Sequence, residues 1–328
     1  MLQQTFSALE RFGPTWLKNL VPEKWRIWLG YQIKVRLRRA PAGYALRTPM
    51  TIPAGQTRDQ IFNYLASIRA EGTNDEREIV LYLNEACDRY LYTLNLIPKA
   101  NGTLLDIGAS PYHLTMLVRK FRDYETSLIN FFGESVPRHH HDFIYDADGT
   151  KIQFDFANVN VEVDRIPHDD NSFDVVLLCE VIEHFVKDPV LVLSEIKRVL
   201  KPGGTFVMST PNVARLENIS RLMSDNNLYD PYSGYGPYGR HNREYTMAEL
   251  SKLVEHVGFE VTQVFTSDVH GNQADHFFDT QKLQGLLAHR SGTLGQYIFI
   301  QAKNRPGSAN SSKLRWLYRS YDDEAYSG

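Results

Sequence analysis

The chain has 328 residues, of which 42% are hydrophobic and 23% charged, as in a globular protein with one large domain or two. Its 36 basic and 39 acidic residues give a net charge of −3, which argues against a nucleic acid as the partner. Its two cysteines form no disulfide framework, and the sequence shows no signal peptide and no apolar run that could cross a bilayer. These features predict a cytoplasmic protein.

Residues 1–97 are predicted to form a helical N-terminal extension of separate character. Within residues 17–47, eight basic residues stand against the single acid Glu23, and aromatic residues are interleaved. Such a stretch suits a helix docked by its aromatic face, or a peripheral contact of residues 16–47 with an anionic membrane. The apolar spacing of residues 73–95 then predicts an amphipathic helix.

From residue 98 onward, predicted strands and helices alternate. This order is typical of an α/β fold with a doubly wound, Rossmann-like, mostly parallel sheet, here of seven strands. The apolar run at 173–179 has the composition of a central strand covered on both faces. The predicted strands are 103–107, 126–131, 159–163, 173–179, 205–209, 261–265 and 297–302, and the predicted helices are 112–120, 189–200 and 246–258.

These elements divide the chain into three predicted parts. The extension is followed by an α/β domain at 98–305, with an insert at 213–246 on the side of a bound acceptor. The polar residues 306–328 are predicted to be a flexible tail.

The first strand of the domain ends in a turn that can approach a ligand. The apolar run that begins at Leu104 reaches Asp106, and Gly108 follows two residues later. A glycine there lets the backbone come close to a nucleotide-type cofactor, because no Cβ blocks the way. On its own, the same pattern is also that of an ordinary junction between a strand and a turn.

Four motifs in order resemble the class I S-adenosylmethionine-dependent methyltransferases over roughly residues 96 to 303. The stretch 105–108 (LDIG) is similar to the family's first motif, and 166–176 (IPHDDNSFDVV) resembles its "LPF.d.sFDvV" stretch. Residues 180–184 (EVIEH) resemble its E-V-x-E-H segment, and 200–204 (LKPGG) its LkPGG turn. The resemblance implies an enzyme that uses S-adenosylmethionine as its methyl donor.

The resemblance also implies a set of cofactor-binding residues. Asp106 and the following amides would hold the amino-acid end of the cofactor, and Asn130 or Glu134 would bind the ribose. Glu162 would accept a hydrogen bond from the adenine amino group, and the backbone N–H of Val163 would reach the ring. The predicted cofactor residues are Asp106, Gly108, Ser110, Asn130, Glu134, Glu162, Val163 and Glu180.

The sequence departs from the family's first motif, which carries two further glycines. Ser110 and Tyr112 stand at those positions. The tyrosine would either crowd the methionine end of the cofactor or point away from it. For Asn130, Glu134 and Glu162, the alternative to a cofactor role is a loop or surface position with no ligand.

A second group of polar residues points to metal or acid–base chemistry. Glu180, Glu183 and His184 share one face if the segment turns helical. Residues 239–246 resemble the H-x-x-E/K-[FYW]-[ST] element of metal-dependent 2′-O- and quinone O-methyltransferases. By that resemblance His241 completes a Mg²⁺ or Mn²⁺ site with those three residues.

The alternative is a metal-free site. His184 and His241 are then the candidate bases for the acceptor hydroxyl, and Glu183 joins them as the third predicted catalytic residue. The run 139–141 (HHH) is predicted to be a solvated loop and not a metal cluster, because adjacent residues do not share a helix face.

The loop at 228–238 alternates tyrosines with glycines and prolines and is expected over the acceptor. The favoured prediction is O-methylation of a hydroxyl on a sugar or a lipid-linked glycan intermediate. A small aromatic or quinone hydroxyl is the near alternative. An inactive cofactor-binding or interaction module is a third, and no oligomeric state is predicted.

Overall fold

The computed structural model describes residues 43–72, 76–133 and 139–326. Most of the basic segment 16–47, with its predicted membrane contact, lies outside these ranges, as does Glu134. Among the described helices, none has the length and apolar character needed to cross a membrane.

Ten strands and seven α-helices build the described part of the chain. The strands are β1 (Ile68–Ala70), β2 (Asn101–Ile107), β3 (Asp123–Asn130), β4 (His140–Tyr145), β5 (Thr150–Asp155), β6 (Ala157–Asn158), β7 (Phe173–Cys179), β8 (Leu200–Pro211), β9 (Phe259–Ser267) and β10 (Tyr297–Asn304). The helices are α1 (Arg58–Ala66), α2 (Glu76–Leu96), α3 (His113–Phe121), α4 (Pro189–Val199), α5 (Leu216–Met223), α6 (Met247–Val257) and α7 (Gln284–Leu287).

Seven strands form the main sheet, in the order β6-β3-β2-β7-β8-β10-β9. The strands from β6 to β8 pair in parallel, whereas β10 runs antiparallel to both β8 and β9. This arrangement confirms the predicted doubly wound, mostly parallel sheet of seven strands.

Successive side chains of the central strands enter two different cores. Leu104 and Leu177 join the core on one face of the sheet, whereas Leu105 and Val176 join the core on the other. This follows from the two-residue period of a strand. Helices α2 and α3 cover the first face and α4 and α6 the second, so the sheet lies between two helical layers.

One predicted strand is wrong. Residues 159–163 do not continue as a strand, because the carbonyl of Asn160 accepts the N–H groups of Val163 (3.0 Å) and Asp164 (2.8 Å) and closes a turn. Only the two-residue β6 precedes that turn and pairs with β3.

A second, three-stranded sheet in the order β1-β4-β5 was not predicted. It includes part of the histidine run, since His140 and His141 begin β4. The predicted solvated loop is therefore wrong for these two residues.

Part of the segment after residue 305, which was predicted to be flexible, docks on the domain through Lys313 and Tyr318. The hydroxyl of the buried Tyr318 donates to Asp188 (2.5 Å) and accepts the N–H of Val190 (3.2 Å), and Lys313 pairs with the same carboxylate. Asp188 is the N-cap of α4, so the tail packs against the start of that helix.

A buried acid just after β9 makes stability depend on pH. Asp268 accepts hydrogen bonds from the N–H of Gln296 (3.1 Å) and from Asn272 Nδ2 (2.9 Å), and burial raises its pKa to about 7. The folded chain thus binds this proton more tightly than the unfolded chain. The protonated carboxyl therefore adds to the free energy of unfolding at low pH, and this contribution is lost as pH rises through the folded-state pKa of about 7. Relative to Asp268→Asn, the wild-type free energy of unfolding should fall by about 2–3 kcal/mol between pH 5 and 8.

Urea unfolding of both proteins at the two pH values measures this difference. Any constant offset from the changed contact with Asn272 cancels in the comparison. An equal pH dependence in the two proteins would contradict the prediction.

Candidate active site

The candidate site lies at the carboxyl ends of β2 and β7. The strand order reverses between these neighbours. From β2 the chain continues to β3 and β6 on one side of the sheet, whereas β7 and β8 lie on the other side. In open α/β sheets, ligands bind in the crevice at such a switch point. Gly108 follows β2 and Glu180 follows β7, so both predicted motifs enter the same crevice.

Gly108 occupies a position that suits only glycine. Its φ is +76°, and its N–H donates to the carbonyl of Ile129 (2.8 Å). A Cβ added there would lie 2.4 Å from Cγ2 of Val181, on the loop after β7. The turn after β2 is therefore packed directly against the Val181 side chain on the loop after β7.

Tyr112 points away from the crevice. Its ring is buried and stacks on Phe154 with centroids 4.4 Å apart. Its hydroxyl contacts Nδ1 of His141 (2.7 Å) and accepts from Nδ2 of Asn130 (3.1 Å). Of the two alternatives for this residue, the structure supports the one that leaves the methionine end uncrowded.

Asn130 serves the same loop. Its Oδ1 accepts the N–H of Ser110 (2.9 Å), and its Nδ2 donates to Tyr112, so both ends of the buried amide are engaged. The side chain thus fixes the turn after β2. The ribose contact predicted for Asn130 stays a prediction, and Glu134 lies outside the described residues.

Glu162 also has a structural role. Its buried carboxylate accepts the N–H groups of Val186 (3.0 and 3.1 Å), Lys187 (2.7 Å) and Asp188 (3.3 Å), which precede α4. The N–H of Val163 is already donated to Asn160. These contacts differ from the predicted adenine contacts, which stay a prediction.

Two adjoining cavities occupy the crevice, one of about 280 Å³ and one of about 230 Å³. Both are lined by Gly108, Ser110, Glu180 and His184. The larger cavity is rich in polar and charged groups: Tyr82, Arg89, Tyr90, Asp106, Glu183, Ser209, His241 and Tyr297. The smaller one has mainly apolar and aromatic walls: Ile107, Ile129, Phe131, Phe132, Val159, Val161, Val181, Phe185 and Tyr238.

Asp106 contributes a carboxyl group to the larger cavity. Its Oδ2 accepts a hydrogen bond from Thr115 Oγ1 (2.7 Å) in α3. Burial raises the pKa of Asp106 to about 6, against the opposing effect of that hydrogen bond.

Glu180 is held by an arginine that the sequence analysis did not identify. Its Oε2 accepts from Arg89 Nη1 (3.0 Å) and its Oε1 from Ser209 Oγ (2.8 Å). Arg89, on α2, also donates to the hydroxyl of Tyr82 (3.1 Å). The position of Arg89 next to Tyr90 and between Tyr82 and Tyr92 in the predicted helix 73–95 is the sequence feature that could have indicated it.

Glu183, His184 and His241 form a compact cluster. One ligand atom from each lies within 4.8 Å of the others, and the imidazole centroids are 5.0 Å apart. Glu183 is 0% exposed; its Oε2 accepts from Thr210 Oγ1 (2.9 Å), whereas its Oε1 has no hydrogen-bond partner. Burial, reinforced by the charge of Glu180, raises the pKa of Glu183.

Each imidazole of the cluster is oriented through its Nδ1. In His184 this nitrogen lies 3.0 Å from the carbonyl of Arg240, and in His241 it lies 2.9 Å from Oε1 of Glu244. Burial and the neighbouring His241 lower the pKa of His184. For His241 burial acts in the same direction, but Glu244 and Glu183 outweigh it and its pKa is raised.

The structure thus brings together three of the four predicted metal ligands. Glu180 lines the same cavity but is paired with Arg89. The three clustered residues are also the predicted catalytic set, whose roles stay predictions.

Comparison with known proteins identifies the domain. Residues 79–264 match the family model described as a methyltransferase domain. Over 97 residues the chain is 40% identical to a Mycolicibacterium smegmatis protein named "probable S-adenosylmethionine-dependent methyltransferase", covering 30% of this chain and 32% of that protein. Over 137 residues it is 28% identical to the ubiquinone biosynthesis O-methyltransferase of Vibrio cholerae, covering 41% of this chain and 51% of that enzyme.

These matches span about a third to a half of the length of the curated relatives. Among solved structures, an S-adenosylmethionine-dependent methyltransferase from Thermotoga maritima aligns with a TM-score of 0.47 at 15% identity, covering 75% of this chain and 100% of that chain. One from Archaeoglobus fulgidus aligns with a TM-score of 0.44 at 18% identity, covering 67% and 94%.

Proposed function

This chain belongs to the class I S-adenosylmethionine-dependent methyltransferases, and we propose that it methylates a hydroxyl oxygen of an acceptor bound beside Glu183, His184 and His241. The observation that carries the proposal is this cluster. It combines a fully buried carboxylate, one oxygen of which has no hydrogen-bond partner, with two oriented imidazoles, and it lines the same cavity as the glycine turn after β2.

The two cavities fit the two halves of S-adenosylmethionine. The polar cavity beside Asp106 and Gly108 suits the charged amino-acid end, and the apolar walls of the smaller cavity suit the adenine. Gly108 lines both cavities, so its lack of a Cβ leaves the backbone open to the ligand there. When bound, this cofactor supplies an already activated methyl carbon, so most of the protein's task is to position the acceptor and exclude water.

The cluster also fits a divalent metal ion. Glu183 Oε1 is an orphaned buried acceptor, and each histidine has its Nδ1 engaged, which leaves Nε2 to offer a ligand. With Glu180 held by Arg89, the donor set is two nitrogens and one oxygen, which suits Mn²⁺ better than Mg²⁺. A bound ion would lower the pKa of the acceptor hydroxyl and orient its oxygen.

His184 is the proposed proton acceptor in the absence of a metal ion. Its lowered pKa keeps the imidazole neutral near pH 7, so it can accept the hydroxyl proton. His241, whose pKa is raised, carries positive charge more readily and faces the carboxylates of Glu183 and Glu244.

We favour a sugar hydroxyl, including one on a lipid-linked glycan, as the acceptor. Tyr229, Tyr232 and Tyr235 are 84%, 93% and 94% exposed, and on the same loop Asp230 accepts the N–H of His241 (3.0 Å). Tyrosine combines a flat apolar face with a hydroxyl, which matches the mixed surface of a sugar. A small aromatic or quinone hydroxyl is the second candidate, favoured by the similarity to the ubiquinone biosynthesis enzyme.

A screen for transfer of a labelled methyl group tests the proposal. The full chain is incubated with labelled S-adenosylmethionine and with separate glycan, lipid-linked and phenolic acceptors. We expect label on an oxygen of one class. Binding of S-adenosylhomocysteine without transfer to any acceptor would favour the inactive module, and absence of binding would refute the assignment to this cofactor.

Metal removal is expected to abolish turnover. Because the carboxylate of Glu183 and both histidines would hold the ion, a chelator should reduce transfer to the level of Glu183→Ala. Added Mn²⁺ should restore the wild type and leave the variant inactive. Full transfer in the presence of the chelator would contradict the metal site and favour His184 as the base.

A further inference from the structure

Behind His241 lies a second layer of charged residues. Glu244 Oε1 contacts Nδ1 of the imidazole (2.9 Å), and its Oε2 accepts from Arg215 Nη1 (2.5 Å). Both side chains are largely buried, with 13% of Glu244 and 21% of Arg215 exposed. The imidazole is thus the inner member of a chain of three hydrogen-bonded groups.

Contacts with the backbone hold this series of hydrogen-bonded side chains in place from both sides. Tyr245 bridges to Asn212, and Arg215 Nη1 also donates to the carbonyl of Asn212 (3.0 Å), which ties the arginine to the segment that carries Glu244. On the other side, the N–H groups of Asn242 (2.7 Å) and Arg243 (3.1 Å) donate to the carbonyl of Glu183. The segment 241–245 is therefore registered directly against the residue that supplies the cluster's carboxylate.

We propose that Glu244, held by Arg215, is the positioning residue that sets the His241 ring for binding a divalent metal ion. The proposal rests on the metal site of the proposed function and adds to it two residues outside the ligand set. A carboxylate on the outer nitrogen fixes the tautomer and the ring orientation, so that the inner nitrogen keeps its lone pair for the ion. Such outer partners change metal affinity by about 10–100-fold when they are removed.

Besides Glu183 and Glu244, Asp230 also faces His241, but it makes a different contact. Its Oδ2 accepts the backbone N–H of His241 (3.0 Å) and lies 3.8 Å from Nδ1, beyond hydrogen-bond distance. Glu244 alone among the described acids makes the short contact with the ring. We therefore expect the substitution of Glu244, and not that of Asp230, to weaken metal binding through the ring of His241.

The experiment is a Mn²⁺ titration of the full chain by calorimetry, with S-adenosylhomocysteine bound. Electron paramagnetic resonance of the bound Mn²⁺ provides a second readout. We expect one site per wild-type chain, lost in Glu183→Ala. Glu244→Gln should bind Mn²⁺ about 10–100-fold more weakly. The matched control Glu255→Gln, at an exposed position on α6, should bind like the wild type.

A purely structural role for Glu244 would give a different pattern, in which Glu244→Gln weakens the binding of S-adenosylhomocysteine as well as that of Mn²⁺. Glu244→Gln should keep its affinity for S-adenosylhomocysteine, because Glu244 lines neither of the two cavities. If the variant fails to fold, Arg215→Met decides, since it leaves the contact between Glu244 and His241 but frees the outer end; it should weaken Mn²⁺ binding several-fold.

Three results would overturn the inference. The first is unchanged Mn²⁺ affinity in Glu244→Gln. The second is unchanged affinity in Arg215→Met when Glu244→Gln does not fold. The third is a wild type that binds S-adenosylhomocysteine but no Mn²⁺, which would refute the metal site and leave the methyltransferase proposal intact. Failure to bind S-adenosylhomocysteine would instead refute the proposed function itself.

Discussion

Replacing Gly108 with alanine is expected to weaken the binding of S-adenosylhomocysteine about 100-fold. At φ +76° an L-residue costs roughly 1–2 kcal/mol, and overpacking against Val181 adds about 1–3 kcal/mol. The loop relieves this strain by moving away from β7, and the movement removes the surface on which the cofactor rests. Since each 1.4 kcal/mol is tenfold, a loss of two orders of magnitude follows. Calorimetric titration measures it.

The Val181→Ala background separates the two causes. Val181→Ala alone should bind the ligand within a few-fold of the wild type. The double variant Gly108→Ala/Val181→Ala relieves the 2.4 Å contact but keeps the left-handed backbone, so it should recover part of the affinity. Wild-type affinity in Gly108→Ala would show that the turn after β2 does not carry the cofactor.

Much of this fold could be predicted, because its elements follow local periodicity. The apolar run 173–179 predicts β7 to the residue, since a strand covered on both faces needs no polar alternation. The helix at Met247–Val257 starts at the predicted N-cap, where Thr246 and Glu249 form a reciprocal capping box. In both cases the information lies within a few residues of the element.

The prediction for residues 159–163 failed because that segment is determined by distant partners. Its valines alternate with polar residues, which is the period of a half-buried strand. In the folded chain, however, Glu162 turns inward to the backbone N–H groups of residues 186–188. No local pattern reports a hydrogen bond to a loop more than twenty residues away.

The same limit applies to the site. The grouping of Glu183, His184 and His241 was foreseen from motif spacing and family resemblance, and the structure brings them together. The engagement of Glu180 by Arg89 was not foreseen, because the arginine lies 91 residues earlier on a helix whose docking depends on tertiary packing. The side chain of Tyr112 turns away because Phe154 and His141, on the unpredicted small sheet, receive it.

Glu183→Gln is expected to remove methyl transfer and to leave the chain at least as stable as the wild type. The amide can neither bind a cation as a carboxylate does nor support proton transfer, so the rate should fall about 10²–10⁴-fold. A carboxylate that is fully buried and has one oxygen without a hydrogen-bond partner destabilises the folded chain. A neutral amide that keeps the contact with Thr210 should raise the free energy of unfolding by about 1–3 kcal/mol.

Glu162→Gln is the matched control for this test. It is also a buried glutamate, but both of its oxygens accept backbone N–H groups, and an amide would present its own donor to them. This variant should lose about 1–3 kcal/mol in urea unfolding. Opposite signs for the two substitutions, together with loss of transfer in Glu183→Gln, would show that the chain sacrifices stability at Glu183 to keep a reactive carboxylate. Destabilisation of Glu183→Gln with transfer retained would make Glu183 a structural residue.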